Sequence, residues 1–88
     1  MNEEQLVQLG VDAEVLLNTE AFNRTINSLV DASVQEFLSS APDEEDKRVN
    51  AYNHYRALVD IVNTLRQQAE VRDQINSKQD EPTTEEEE

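Results

Sequence analysis

His54 is the only histidine of this 88-residue chain. As a general base it would need a nucleophile and an orienting carboxylate within hydrogen-bond reach. On a helix it lies beside the seam Ala51, Tyr55 and Leu58, so it reads as a residue at the edge of an apolar seam. Four consecutive acids, Asp43, Glu44, Glu45 and Asp46, are the other group that invites chemistry, since carboxylates bind hard cations. The alternating Asp/Asn ligands and the glycine of a calcium loop are missing, however, and the run reads as the charged first turn of a helix. Tyr52 and Tyr55 would stack bases only in a basic groove; without one they read as packing anchors. Arg48, Arg56, Arg66 and Arg72 are spaced irregularly and are expected to pair with acids elsewhere in the chain. No phosphate loop, metal-ligand cluster or nucleophile motif is present, and there is no cysteine. The expectation is a non-enzymatic chain without catalytic residues, cofactor or metal.

The elements that would position these residues are set by the chain's breakers. Gly10, Pro42 and Pro82 are its only glycine and prolines, and the long stretches between them predict helices. Leu6, Val7 and Leu9 predict a short helical turn stopping at Gly10. Asp12 would then cap a second short helix through Leu17. Asn18 or Thr19 would cap a helix over roughly residues 19–39. Its apolar face would carry Phe22, Ile26, Leu29, Val30, Ser33, Val34 and Phe37, at spacings of three and four. The short connection around Ser40–Pro42 predicts an antiparallel hairpin, with Pro42 in the first turn of the next helix. Asp43 with Lys47 and Glu44 with Arg48 would form ion pairs four residues apart.

The following helix carries a heptad seam, Ala51, Tyr55, Leu58, Val62, Leu65 and Ala69. It should persist to about Ser77, roughly 50 Å at 1.5 Å per residue, against about 30 Å for its partner. An overhang around Leu65, Ala69 and Ile75 therefore needs a cover, from the N-terminal segment or from a second copy of the chain. The predicted core is Phe22, Ile26, Leu29, Phe37, Tyr55, Leu58, Val62 and Leu65. The expected fold is all-α: an antiparallel hairpin with one or two short N-terminal helices. Residues 1–78 would form a small helical domain, and 79–88 a disordered acidic tail without apolar residues.

Leu, Ile, Val and Phe make up 22 of the 88 residues, enough for a thin core. The formal charge of −13 is uneven. The first half is strongly acidic, residues 47–78 are mildly basic, and the tail is acidic again. Phosphate binding needs a clustered positive surface, so direct nucleic-acid contact is not expected. No apolar run reaches the length of a membrane span, and the N-terminus lacks the pattern of a signal peptide.

The order Leu16, Leu17, Phe22, a helix, Ala41, Pro42, Asp43, Glu45, Arg48, then Tyr52 or Tyr55, Ala57 and Leu58 resembles a group of small uncharacterised tailed-bacteriophage proteins encoded near head and packaging genes. The resemblance covers roughly residues 14–75 and implies a role in particle assembly. It implies as partner a capsid-assembly component, and as location the cytoplasm of a host cell or the virion. The expected function is a phage accessory or structural protein acting through helix–helix protein contacts, including homo-oligomerisation, without membrane association. The interaction residues would be Leu65, Ala69 and Ile75 on the overhang and Glu85, Glu86, Glu87 and Glu88 in the tail. The competing expectation, from charge alone, is an acidic inhibitor that imitates nucleic acid and occupies a host enzyme.

Overall fold

The computed structural model describes residues 1–80. Three helices follow one another: α1 (Glu3–Leu17), α2 (Glu20–Leu38) and α3 (Glu45–Asp80). Among the described residues no strand is present, as the breaker-free runs and their periodicity require.

Helix α1 begins at a capping box. The Gln5 amide donates to Asn2 Oδ1 at 2.8 Å, and the Asn2 amide donates to Gln5 Oε1 at 3.1 Å, which satisfies two otherwise unpaired donors. Gly10 does not end this helix. Its φ is not positive, and α1 passes through it unbroken, so the two short helices expected on either side are one. Gly10 is instead a buried contact point: a Cβ there would overlap Cβ of Arg72 and lie 2.7 Å from the Gln68 carbonyl oxygen. The missing side chain lets the α1 backbone approach α3 closely.

A two-residue link, Asn18 and Thr19, joins α1 to α2. Thr19 occupies the N-cap position of α2, but its hydroxyl donates backward to the Val15 carbonyl. The Asn23 side chain donates to the Leu17 carbonyl at 2.8 Å, stitching the first turn of α2 to the end of α1.

The α2–α3 connection turns around Arg48. Its guanidinium donates to the carbonyls of Ala41 at 2.6 Å and Pro42 at 3.2 Å. Glu44 accepts from the Ala41 amide at 2.7 Å. The Glu44–Arg48 ion pair expected from spacing is therefore not formed, because each side chain finds a backbone partner in the turn. Asp43–Lys47 does not pair either. Helix α3 starts at Glu45, so Pro42 lies in the turn before the helix rather than in its first turn.

Helices α1 and α2 lie in series along α3, and most packing runs between each of them and α3. At 1.5 Å per residue α1 and α2 are about 22 and 29 Å long, and together they match the roughly 54 Å of α3. The overhang is thus covered within the chain, by α1. The molecule is a rod of 69 × 24 × 23 Å. Its radius of gyration is 19.3 Å, against about 12 Å for a compact domain of this length.

Such a rod has a narrow seam in place of a central core. Ala13, Ala51 and Ile75 are the buried apolar side chains, with Ser33 beside them donating to the Leu29 carbonyl. Tyr55, Leu58, Val62, Leu65 and Ala69 are half-buried along the α3 seam, as are Phe22 and Ile26 on α2. Leu29 and Phe37, expected in the core, are exposed: a single helix neighbour covers only a stripe of α2, and both residues flank it. Helix α3 is described as far as Asp80, across the first two residues of the expected tail. The rest of the expected disordered tail lies outside the described residues.

Candidate interaction surface

The expected overhang residues face the inside of the chain. Ile75 is buried, and Leu65 and Ala69 are half-buried, while α1 packs against the C-terminal half of α3 through Gly10. Glu85, Glu86, Glu87 and Glu88 lie outside the described residues.

An ionic clasp holds α1 to this end of α3. The Arg72 stem lies over Gly10, and its guanidinium pairs with Glu14 on α1 and with Asp73 on its own helix, the latter at 2.7 Å. The hydrogen bond Arg72 donates to Glu14 is the main cause, and the one it donates to Asp73 the second, that holds its guanidinium above the ordinary arginine range. The other ion pairs among the described residues, Arg24–Glu20 and Arg56–Asp60, are exposed pairs one helical turn apart.

At the turn end of the rod the situation reverses. Val34 and Phe37 of α2, with Ala51, Tyr52 and Tyr55 of α3, line an apolar recess of about 260 Å³. It continues into a second recess of about 310 Å³, where Phe37 and Tyr52 meet Glu45, Arg48 and Val49. The large side chains here stand well out in solvent. Exposure is 37% for Val34, 43% for Phe37, 50% for Val49 and 54% for Tyr52. Scattered apolar residues on a surface are ordinary; these differ in sharing the lining of two adjoining recesses.

Across the seam, Ser33, Glu36 and His54 line one shallow recess with Leu29, Ala57 and Leu58. These are the residue types of a nucleophile, a carboxylate and a base. Their hydrogen bonds lead elsewhere: the Ser33 hydroxyl donates to the Leu29 carbonyl, and no hydrogen bond joins His54 to Ser33 or Glu36 in the structure. The relay that would activate the hydroxyl is not assembled. Among the described residues no group of three or more His, Cys, Asp or Glu side chains is placed to hold a metal ion, and no helix is long and apolar enough to cross a membrane.

The apolar strip went unseen in the sequence because Phe37 satisfied the helix periodicity of a core residue. Val49 gave a signal: it falls off the two expected seams, yet is large and apolar. Comparison with protein families, curated proteins and solved structures finds no match to this chain.

Proposed function

We propose that this chain is a non-enzymatic interaction protein: a helical rod that docks onto a protein partner through its turn end. The observation that carries the reading is the exposed strip Val34, Phe37, Val49 and Tyr52 at one end of a rod whose far half is already covered by α1. Aromatic side chains in an apolar patch are the usual anchors of protein interfaces. The resemblance in residue order to tailed-bacteriophage proteins supports particle assembly as the setting.

Affinity capture from host-cell extract, comparing the wild-type chain with Phe37→Asp/Tyr52→Asp, tests this. A specific protein should be retained by the first and lost by the second while circular dichroism of both stays helical. Identical capture by both proteins contradicts the reading.

A second reading has an observation of its own. Asp31, Asp43, Glu44, Glu45 and Asp46 are exposed on folded surface, as a protein imitating nucleic acid would require. It predicts that captured partners are released by competing DNA or RNA, and that neutralising Asp31, Glu36 and Glu44 abolishes capture. The docking reading predicts neither.

A further inference from the structure

The stripe of α3 that carries the exposed strip has a sequence symmetry with a structural consequence. Glu45, Val49, Tyr52 and Arg56 follow one another at spacings of four, three and four, so they occupy one face of the helix. All four are exposed. The midpoint of Glu45 and Arg56 coincides with the midpoint of Val49 and Tyr52, between Asn50 and Ala51. Two antiparallel copies of this stripe crossed at that point place Val49 opposite Tyr52 twice and Glu45 opposite Arg56 twice. Each acid then meets a base and each apolar residue meets an apolar residue, as a twofold contact demands.

Resting on the docking reading above, we infer that the occupant of the turn-end strip is a second copy of this chain, packed antiparallel through α3 about a twofold axis near Asn50. The flanking α2 residues Val34 and Phe37 complete the contact. A fully exposed side chain of this size presents about 150–200 Å². The four apolar residues therefore contribute roughly 320 Å² per copy, or about 640 Å² for the pair. Adding the charged rim of Glu45, Arg48 and Arg56 brings the total close to the roughly 1,200 Å² at which specific dimers begin. Arg56 is available for the exchange: its pair with Asp60 is long, 3.4 Å, and half-exposed, and such pairs hold a side chain weakly. The product is a four-helix crossing at the centre of an assembly, with the two α1-covered ends pointing away from each other.

Sedimentation equilibrium of the full chain tests this. The wild type should be a dimer dissociating in the range of roughly 1–100 μM, as its small interface implies. Glu45→Arg and Arg56→Glu, taken singly, place like charges opposite each other twice per dimer and should each weaken association by roughly tenfold. The combination Glu45→Arg/Arg56→Glu should restore it to near the wild-type value. Circular dichroism of each variant separates lost association from lost helix. A wild-type chain that stays monomeric to about 200 μM overturns the second-copy assignment; capture lost on Phe37→Asp/Tyr52→Asp would then leave the docking reading standing with another partner. A dimer in which the double reversal is as weak as the single ones overturns the antiparallel register. A dimer indifferent to Tyr52→Asp overturns both the register and the docking surface.

Discussion

Arg72 occupies the space that a side chain on Gly10 would need, and reaches across it to pair with Glu14 one turn further along α1. This relationship explains why a helix interior retains its one glycine. Alanine would favour the helix by about 1 kcal/mol, but the Gln68 carbonyl lies 2.7 Å from the position of its Cβ, and backbone cannot step aside as a flexible side chain can. Overpacking of this kind costs about 1–3 kcal/mol. Gly10→Ala should therefore lower stability by on the order of 1 kcal/mol net, and Gly10→Val by more. Denaturant melts of the two variants check this. A more stable Gly10→Ala protein would mean that α1 does not approach α3 as closely as described.

The Arg72 clasp makes a separate prediction. Arg72→Gln should lower the melting temperature, and the loss should shrink in high salt, because partly exposed ion pairs are screened. A double-mutant cycle with Glu14→Gln should show the two residues coupled. The pH dependence has a definite sign. The Arg72 pKa is raised in the folded chain, so its contribution is fully present below the ordinary arginine range and is lost only as pH rises through the raised value. Titration of Arg72 therefore contributes no change in stability between about pH 6 and 9. Thermal melts across salt and pH test all three points.

Arg48 closes the α2–α3 turn through two carbonyls. Hydrogen bonds from a charged donor contribute about 1.5–3 kcal/mol when well shielded, and one of these is exposed. Arg48→Ala should cost about 1–2 kcal/mol, or roughly 4–16 °C in a domain of this size. Arg48→Lys should recover part of it, since one ammonium cannot reproduce the fork to both carbonyls. Equal stability of the alanine and lysine variants would show that the turn is held by Glu44 and the backbone alone.

Ala51 has no exposed surface where α2 crosses α3. Its methyl group sets how near the two helices lie. Ala51→Leu should push them apart at a cost of about 1–3 kcal/mol, while leaving the α1–α3 half of the rod intact. Amide hydrogen exchange should report the difference as faster exchange in α2 than in α1.

How much of this could be read from the residues differs by helix. The α3 seam from Ala51 to Ala69 was legible because a heptad repeat in a helix has one geometric meaning, and each of those residues is buried or half-buried. The hairpin turn was legible from Pro42 and its neighbours. The continuity of α1 was not, because a glycine at a helix end and a glycine at a close crossing look alike until the opposing helix is placed. Leu29 and Phe37 misled for the complementary reason. Periodicity finds the apolar side of a helix but does not say how wide a stripe its neighbour covers, and here one neighbour covers little. The Arg48 and Arg72 contacts were hidden because they depend on the direction of long side chains, which spacing does not fix.

The central claim is a division of labour along α3: its far half is closed by α1 within the chain, and its turn end is left for a partner. Sedimentation equilibrium and thermal melting of Leu65→Asp and Tyr52→Asp, measured side by side, test it most directly. Leu65 is half-buried on the α3 seam, so Leu65→Asp should destabilise the fold by about 2–3 kcal/mol. Where the chain is still folded, it should associate as the wild type does. Tyr52→Asp should abolish association and leave nearly unchanged the melting temperature measured well below the dimer dissociation constant, where the wild type is monomeric too. The opposite pattern, association lost through Leu65 and kept through Tyr52, would put the contact on the far half of α3 and contradict the account.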